Sequence, residues 1–194
     1  GGTLSVGLVS TAKYFVPQML ARFRQEHPGV EVKLSVCQNR EQLVTLLHAG
    51  DVDLAVMGRP PKELATRAEP FAAHPQVLVA PPGHPLIARG RLSATDLAAY
   101  PLIVRERGSG TRSVMEHYLR EHHIAPPIAM EIPSNETIKQ AVIAGMGLAF
   151  LSLHTVGLEV RTGALCVLDV EDTPVVRTWN LVHLLSKLLS PAAE

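Results

Sequence analysis

The first 58 residues alternate between strand and helix patterns, and this alternation constrains the fold more than any other feature. Apolar runs at Leu4–Val9 and Leu54–Met57 predict strands, and strict apolar alternation over 30–36 predicts a third strand with one buried face. Helical spacing of apolar residues predicts a helix over Ala12–Gln25 and a shorter helix that ends at Gly50. A β-α-β-α-β order requires a parallel sheet with right-handed crossovers, so the sequence predicts an α/β fold.

The alternation starts again after residues 60–76, a polar stretch with several prolines that predicts a connection. Further strands are predicted at Val77–Ala80, Leu102–Val104, Ile128–Ile132, Leu148–Leu151 and Leu165–Val170. A long strand over Val175–Leu184 then precedes a final helix from Leu185. We therefore expect two α/β units, each with its own sheet, and a ligand cleft beyond the carboxyl ends of their strands.

Composition excludes several classes of protein. The 194 residues carry 18 Lys and Arg against 18 Asp and Glu, whereas a free-standing nucleic-acid binder normally has a basic excess. Two cysteines, Cys37 and Cys166, are too few for a disulfide framework and predict reduced thiols in a cytoplasmic protein. The longest apolar run, over 142–153, is shorter than the ~20 residues that cross a membrane, and no signal peptide is visible. Because both ends look cut, we expect a fragment of a longer protein.

The common catalytic motifs do not occur in the sequence. Gly108-Ser109-Gly110 lacks the spacing of a nucleophile elbow, and neither a P-loop nor a dinucleotide-binding glycine motif is found. Glu106 and Glu136 are the candidates for an acid/base pair, but helix capping or ion pairing with arginine explains them equally well. We therefore predict no enzyme activity, no cofactor and no metal site. Cys37 as a redox sensor is the weaker alternative to a buried thiol.

Polar side chains gather where predicted strands end and helices begin. Backbone N–H groups and the helix dipole favour an anion at such positions, and arginines add charge-assisted hydrogen bonds. Any one of these residues alone is better explained as a helix cap, but their concentration at several strand ends predicts a site for a small anion. The candidates are Ser10, Thr11, Gln38, Gly58, Arg59, Arg105, Ser109, Thr111, Ser134 and Asn135.

Five segments in this order resemble the effector-binding domain of LysR-type transcriptional regulators, over essentially all 194 residues. These segments are 2–7, 51–57, 77–86, 105–112, and 134–142 together with 145–147. Two more segments, 10–17 and 57–61, resemble the CbbR-type regulators of carbon dioxide fixation (Calvin cycle) operons.

The resemblance implies two Rossmann-like subdomains joined by two crossing strands, similar to type 2 periplasmic binding proteins. Subdomain I is expected at 1–76 plus 175–194 and subdomain II at 77–174, with the N-terminal DNA-binding domain absent from this chain. The effector is expected between the subdomains, at the ten candidates above. The resemblance implies a small metabolite, phosphorylated or nucleotide-like, and the arginines suit that charge.

The resemblance also implies partners and a mechanism. The full-length protein is expected to be a cytoplasmic tetramer that contacts promoter DNA only through its missing domain and does not bind membranes. A homodimer contact is expected through the helices Ala12–Gln25 and Ser113–His122. An anion that binds both subdomains would shift their arrangement by its differential affinity, typically ~1–3 kcal/mol. A solute-binding protein for a transporter is the alternative, and an enzyme on the same scaffold is the third hypothesis, which no acid, base or nucleophile pair supports.

Overall fold

The computed structural model describes residues 1–186 and 189–194 of the chain. These residues divide into two units: unit 1 is formed by residues 1–73 with 178–194, and unit 2 by residues 74–177. Both boundaries fall inside long strands, so two segments of the chain connect the units. The predicted boundaries after 76 and 174 differ from those after 73 and 177 by three residues, because a continuous strand contains no turn signal.

The helices and strands follow the predicted order in most of the chain. The first elements are β1 (Gly2–Val9), a 3₁₀ helix (Ser10–Tyr14), α1 (Val16–Glu26), β2 (Val30–Cys37), α2 (Arg40–Ala49), β3 (Leu54–Met57) and β4 (Thr66–Ala80). They are followed by α3 (Pro85–Ala88), a 3₁₀ helix (Ala94–Leu97), β5 (Leu102–Val104), α4 (Gly110–Glu121), β6 (Ile128–Glu131) and α5 (Asn135–Ile143). The last are β7 (Ala149–Ser152), α6 (Leu153–Thr162), β8 (Cys166–Val167) and β9 (Val175–Leu184).

Unit 1 has a parallel sheet in which β1 lies between β2 and β3. This arrangement confirms the predicted parallel pairing, and β9 adds an antiparallel neighbour to β3. Helix α2 packs closely on β1: a Cβ at Gly7 would lie 2.7 Å from the Leu43 Cδ1 atom. The core has two parts, one around Leu8 and Trp179 and the other around Leu43 and Met57.

Unit 2 combines antiparallel and parallel pairing. Strand β4 pairs antiparallel with β7 and β8, while β5 pairs parallel with β6. A parallel bridge between Leu102 and Leu148 places β5 beside β7. Apolar residues fill both faces: Leu78 and Phe150 belong to one core cluster, and Val77 and Leu151 to the other. Because β5, β6 and β7 run parallel, their carboxyl ends share one edge.

The prediction of two separate sheets was wrong. The strands form one path in the order β2-β1-β3-β9-β4-β7, with β8 beside β4, and only β5 and β6 form a sheet of their own. The predicted connection over 60–76 was also wrong from Thr66 onward, because β4 begins there. Pro70 and Pro75 hid this strand in the sequence, since proline is depleted from strands.

Three local predictions in unit 1 need correction. The strand β2 does not bury one whole face, since Leu34 and Val36 are 40% and 49% exposed. The helix expected over Ala12–Gln25 is interrupted at Phe15, where a 3₁₀ helix ends and α1 begins. The final helix expected from Leu185 is absent from its described part, where residues 185–186 and 191–193 form turns; residues 187–188 lie outside the described residues.

One strand in unit 2 is shorter than predicted. The run Leu165–Val170 contains only the two-residue strand β8. Leu165, Leu168 and Val170 are buried, so their apolar character reflects packing against the core rather than strand pairing. None of the helices in residues 1–186 and 189–194 has the length and apolar character needed to cross a membrane.

Candidate functional site

The carboxyl edge of unit 1, meaning the residues that directly follow β1, β2 and β3, carries five of the ten predicted site residues. The strands end in register, with Val9 opposite Cys37 and Leu8 opposite Val56. Ser10 and Thr11 therefore lie on the same edge as Gln38, Gly58 and Arg59. Thr11 is buried and Ser10 is half-buried, while the Gln38 and Arg59 side chains are exposed.

Ser10 and Thr11 do not cap a helix, contrary to expectation. The 3₁₀ helix that contains them has Val9 at its N-cap, and no side-chain hydrogen bond caps its start. Helix α1 starts after Phe15 and also lacks a side-chain cap. The α-helix that begins at this edge is α2, where the Asn39 side chain accepts a hydrogen bond from the Gln42 N–H at 2.9 Å.

Two side chains donate hydrogen bonds to backbone carbonyls of the loop after β3 and hold it in place. Asn180 donates its Nδ2 hydrogen to the Gly58 carbonyl at 2.6 Å, and Arg40 donates from Nη1 to the Arg59 carbonyl. Arg40 is a basic residue that the sequence prediction missed, although it directly follows the Asn39 cap. Burial and the charge of Arg59 lower the pKa of the Arg40 guanidinium. The Glu63 carboxylate acts in the opposite direction and raises this pKa, so it partly offsets the repulsion between Arg40 and Arg59.

The carboxyl edge of unit 2, meaning the residues that follow β5, β6 and β7, carries the other five. Arg105 follows β5 and is buried. Its Nε and Nη2 atoms donate to the Glu106 carboxylate at 2.7 and 3.2 Å, and its Nη1 atom donates to Asn135 Oδ1 at 2.6 Å. Arg105 therefore connects the loop after β5 to the first residue of α5. Of the predicted residues, the structure brings Arg105 and Asn135 into direct contact.

Two predicted serines are helix caps. The Ser109 hydroxyl accepts a hydrogen bond from the Arg112 N–H at 3.4 Å, and Ser134 accepts from the Thr137 N–H at 3.2 Å. The capping alternative is therefore correct for both hydroxyls. Thr111 is buried in the first turn of α4. Capping satisfies one N–H group per helix, while the remaining first-turn groups keep the partial positive charge of the helix start.

A third serine at this edge was missed by the sequence prediction. Ser152, at the end of β7, accepts a hydrogen bond from the His154 N–H at 3.3 Å and caps α6. Three α-helices, α4, α5 and α6, thus begin at the carboxyl edge of unit 2. In the sequence, Ser152 stands inside a long apolar run without glycine or proline beside it, and so no turn signal marked it.

Arg112 is committed to ion pairs within unit 2. Its Nε atom donates to Glu116 at 2.9 Å, and its Nη1 atom donates to the Arg105 carbonyl at 3.0 Å and to Glu131. Hydrogen bonding to Glu116 is the largest cause of the raised pKa of this guanidinium. Arg112 thus pairs with two carboxylates, whereas Arg105 pairs with one, which makes Arg112 a support for the Arg105 loop.

Redox and metal chemistry have little support. Burial raises the pKa of the Cys37 thiol, which disfavours the thiolate that a redox sensor needs. Among the residues that the structure describes, no group of three or more His, Cys, Asp or Glu is placed to hold a metal ion.

The whole chain, residues 1–194, matches the family described as the LysR substrate binding domain. The HTH-type transcriptional regulator CfxR of Cupriavidus necator is 51% identical over 193 residues, which are 100% of this chain and 61% of that protein. The HTH-type transcriptional regulator CbbR of Rhizobium meliloti is 46% identical over 194 residues, which are 100% of this chain and 62% of that protein. The chain thus spans about three fifths of the length of these curated relatives.

A solved structure, the Synechocystis PCC6803 CcmR regulatory domain in complex with 2-PG, superposes with a TM-score of 0.91. It is 36% identical and covers 100% of this chain and 92% of that chain. These matches confirm the predicted resemblance and fold class: an α/β fold with two Rossmann-like subdomains joined by two crossing strands, similar to type 2 periplasmic binding proteins. They do not favour the transport alternative, because the named relatives are transcriptional regulators.

Proposed function

This chain belongs to the LysR substrate-binding domain family, and we propose that it is the effector-sensing part of a transcriptional regulator of carbon-fixation genes. The relatives CfxR and CbbR support this proposal at 51% and 46% identity over the full length of the chain. In the whole protein, a separate domain would contact promoter DNA. The effector would act by binding one conformation more tightly than another, since a ligand shifts an equilibrium only by its differential affinity.

The proposed effector is a small phosphate ester with a second anionic group, of which 2-phosphoglycolate is the simplest. The observation that carries this proposal is the start of three α-helices at one sheet edge, beside the buried guanidinium of Arg105. Helix starts and arginine are the groups that proteins use to hold phosphate and carboxylate. The structurally similar Synechocystis domain in complex with 2-PG supports the same ligand class.

The proposed contacts in unit 2 are Arg105, Ser109, Thr111, Ser134 and Asn135. Those in unit 1 are Ser10, Thr11, Gln38, Gly58 and Arg59, which stay predicted contacts. Arg40 donates a hydrogen bond to the Arg59 carbonyl, and these two neighbouring arginines support a place in unit 1 for the second anionic group of the effector. No cofactor takes part in this proposal.

We also propose that the chain forms a homodimer, and that the whole protein forms a tetramer. Exposed apolar residues on sheet edges support self-association: β2 is the last strand of its sheet and exposes Leu34 and Val36, and β6 exposes Ile128 and Met130. Unpaired strand edges with apolar side chains are usually covered by a partner. The helices α1 and α4 are the predicted contacts between the two copies. We also propose that the protein is cytoplasmic.

Calorimetric titration tests the effector. We expect 2-phosphoglycolate to bind the chain, and we would compare it with ribulose bisphosphate, phosphoenolpyruvate, ATP and NADPH. If none of them binds or raises the melting temperature, the phosphate-ester proposal is wrong. Turnover of any of these compounds by the pure chain would instead favour an enzyme.

A substitution at Thr111 tests the site. Thr111→Val removes a buried hydroxyl in the first turn of α4 while keeping the shape of the side chain. We expect the affinity for 2-phosphoglycolate to fall by roughly three- to tenfold, as for the loss of one hydrogen bond. The matched control is Thr162→Val at the end of α6, where the side chain is exposed and the affinity should not change. Equal affinities of both variants would remove Thr111 from the site.

A further inference from the structure

Four polar side chains gather on one face of the unit 2 sheet, apart from Arg105 and its partners. We name them the β4–β7 polar cluster: His74 and Gln76 on β4, Ser152 on β7 and His154 in the first turn of α6. Gln76 lies directly opposite Ser152 in the antiparallel pair, so their Cβ atoms are about 5 Å apart on the same face. The rings of His74 and His154 stack with centroids 6.2 Å apart.

The cluster is buried to an unusual degree for polar residues. Gln76 and Ser152 are each 1% exposed, and His74 is 7% exposed. The Oε1 atom of Gln76 is buried without a hydrogen-bond partner. A buried polar atom in this state costs the folded chain about 1–3 kcal/mol, so its presence calls for a partner that the protein chain itself does not supply.

The position of the cluster links it to the proposed anion site. Ser152 caps α6 at the carboxyl end of β7, and β7 lies beside β5, which leads directly into Arg105. Strand β7 lies between β4 and β5, so Ser152 is one strand spacing of about 4.8 Å from β5 and Gln76 is two. The long side chains of Gln76 and Arg105 and a ligand of several atoms span that separation together. The start of the ten-residue helix α6 and the unpartnered Oε1 atom of Gln76 therefore lie next to each other on this edge.

The chemistry of the cluster differs from that of the anion site. It contains no arginine, lysine or carboxylate, and its groups are an amide, a hydroxyl and two imidazoles. An amide can present either its carbonyl or its NH₂ group, and a hydroxyl both donates and accepts. This set of groups complements a neutral polar group that donates one hydrogen bond and accepts another. An alcohol hydroxyl has that property, whereas a phosphate has only acceptors to offer.

We propose that the β4–β7 polar cluster binds a hydroxyl group of the effector, with Gln76 as its hydrogen-bond partner, and that it selects hydroxylated phosphate esters over non-hydroxylated ones. This proposal rests on the proposed function, because it assumes that the phosphate binds at the Arg105 edge. Gln76 is then a specificity-determining residue. The hydroxyl takes the place of the ordered water that otherwise satisfies such buried polar groups.

Two ligands that differ by one hydroxyl-bearing carbon provide the test. Both 2-phosphoglycolate and 3-phosphoglycerate carry a phosphate and a carboxylate, but only the second has a free hydroxyl. Calorimetric titration of the chain gives the ratio of their dissociation constants. We expect Gln76→Leu to weaken 3-phosphoglycerate binding by roughly three- to tenfold and to change 2-phosphoglycolate binding less than twofold.

The controls separate recognition from folding. Gln140→Leu makes the same chemical change at an exposed position of α5 and should leave both affinities unchanged. Gln76→Met, which tests whether packing matters, should have the same selective effect as Gln76→Leu. A thermal melt should show no loss of stability for either Gln76 variant, because an apolar side chain replaces an unsatisfied polar one.

The outcomes distinguish this proposal from the proposed function. If wild-type chain binds both ligands and Gln76→Leu changes neither affinity, the cluster holds an ordered water only and this proposal is overturned. Binding of 2-phosphoglycolate with rejection of 3-phosphoglycerate by the wild-type chain overturns it as well. If the wild-type chain binds neither ligand, the phosphate-ester function and the hydroxyl subsite are both wrong.

Discussion

The carboxyl edges of the two units have similar topology but different construction. In unit 1, a five-residue 3₁₀ helix and one α-helix, α2, begin at the edge, and the side chain of the predicted contact Arg59 is exposed. In unit 2, three α-helices begin at the edge, and Arg105 is buried against Glu106 and Asn135. A buried and hydrogen-bonded arginine is already fixed in position before a ligand arrives, whereas an exposed one must be ordered on binding.

Because of this difference, we expect the two edges to contribute differently to folding and to anion binding. In the proposed site, unit 2 supplies an arginine that its own contacts already hold in place, so its residues should affect both folding and binding. Unit 1 supplies the exposed charge of Arg59, which attracts an anion over longer distances but contributes little to folding. Substitutions at equivalent positions of the two edges should therefore separate in their effects on stability.

The largest expected difference is between Arg105→Ala and Arg59→Ala. Arg105→Ala removes three hydrogen-bond contacts in unit 2 and leaves Glu106 and the buried Asn135 without this partner. We expect a loss of roughly 2–4 kcal/mol in the free energy of unfolding and, where the chain still folds, a loss of detectable 2-phosphoglycolate binding. Arg59→Ala should change the free energy of unfolding by less than about 0.5 kcal/mol, because this side chain is exposed.

Urea unfolding and calorimetric titration measure the two effects. Arg105→Lys serves as a second variant, since it keeps the charge but loses the guanidinium geometry that reaches both Glu106 and Asn135. Similar unfolding free energies for Arg105→Ala and Arg59→Ala would show that the two edges are built alike, and the comparison would fail.

A smaller change in stability should appear in acid, and it arises at His74 of unit 2. Burial, followed by the neighbouring His154, lowers the pKa of His74 from its ordinary value of 6.5 to about 3. The unfolded chain therefore binds a proton at His74 below pH 6.5, while the folded chain does not until about pH 3. Stability attributable to His74 is complete above pH 6.5 and is lost as the pH falls, with a slope of up to about 1.4 kcal/mol per pH unit.

Urea unfolding at pH 6.5 and pH 5 checks this prediction. We expect the wild-type chain to lose about 2 kcal/mol more over this interval than His74→Gln, which cannot titrate. His117→Gln is the control, because His117 lies on the exposed side of α4. An unchanged acid slope in His74→Gln would show that His74 accepts a proton in the folded chain as easily as in the unfolded one.

The sequence predicted the parallel strands because the spacing of apolar residues in strands and helices is a local signal. Tertiary contacts rarely override this signal where the pattern is long. It also named Arg105, directly after β5, and Asn135, the first residue of α5, as site candidates; their side chains meet at 2.6 Å, and their role in binding stays a prediction. It failed where the outcome depends on distant residues. Nothing near Gln76 in the chain shows that β7 lies opposite and buries it. Leu34 and Val36 alternate like core residues, although they are 40% and 49% exposed.

The sequence also does not show which helix starts have a side-chain cap. The smallest expected difference in stability between the two edges comes from these caps. The sequence presents Ser10 and Ser134 as equivalent polar residues after strands. In the structure Ser134 accepts a hydrogen bond from the Thr137 N–H at 3.2 Å, whereas the start of the Ser10–Tyr14 helix has no side-chain cap.

Ser134→Ala should therefore lower the free energy of unfolding by about 1 kcal/mol, the usual value of a lost N-cap, and Ser10→Ala by less than about 0.5 kcal/mol. The urea midpoint of each variant measures the difference. Equal losses would mean that the hydroxyl of Ser10 stabilises its edge as much as a true cap does, and the contrast between the two edges would then depend on the arginines alone.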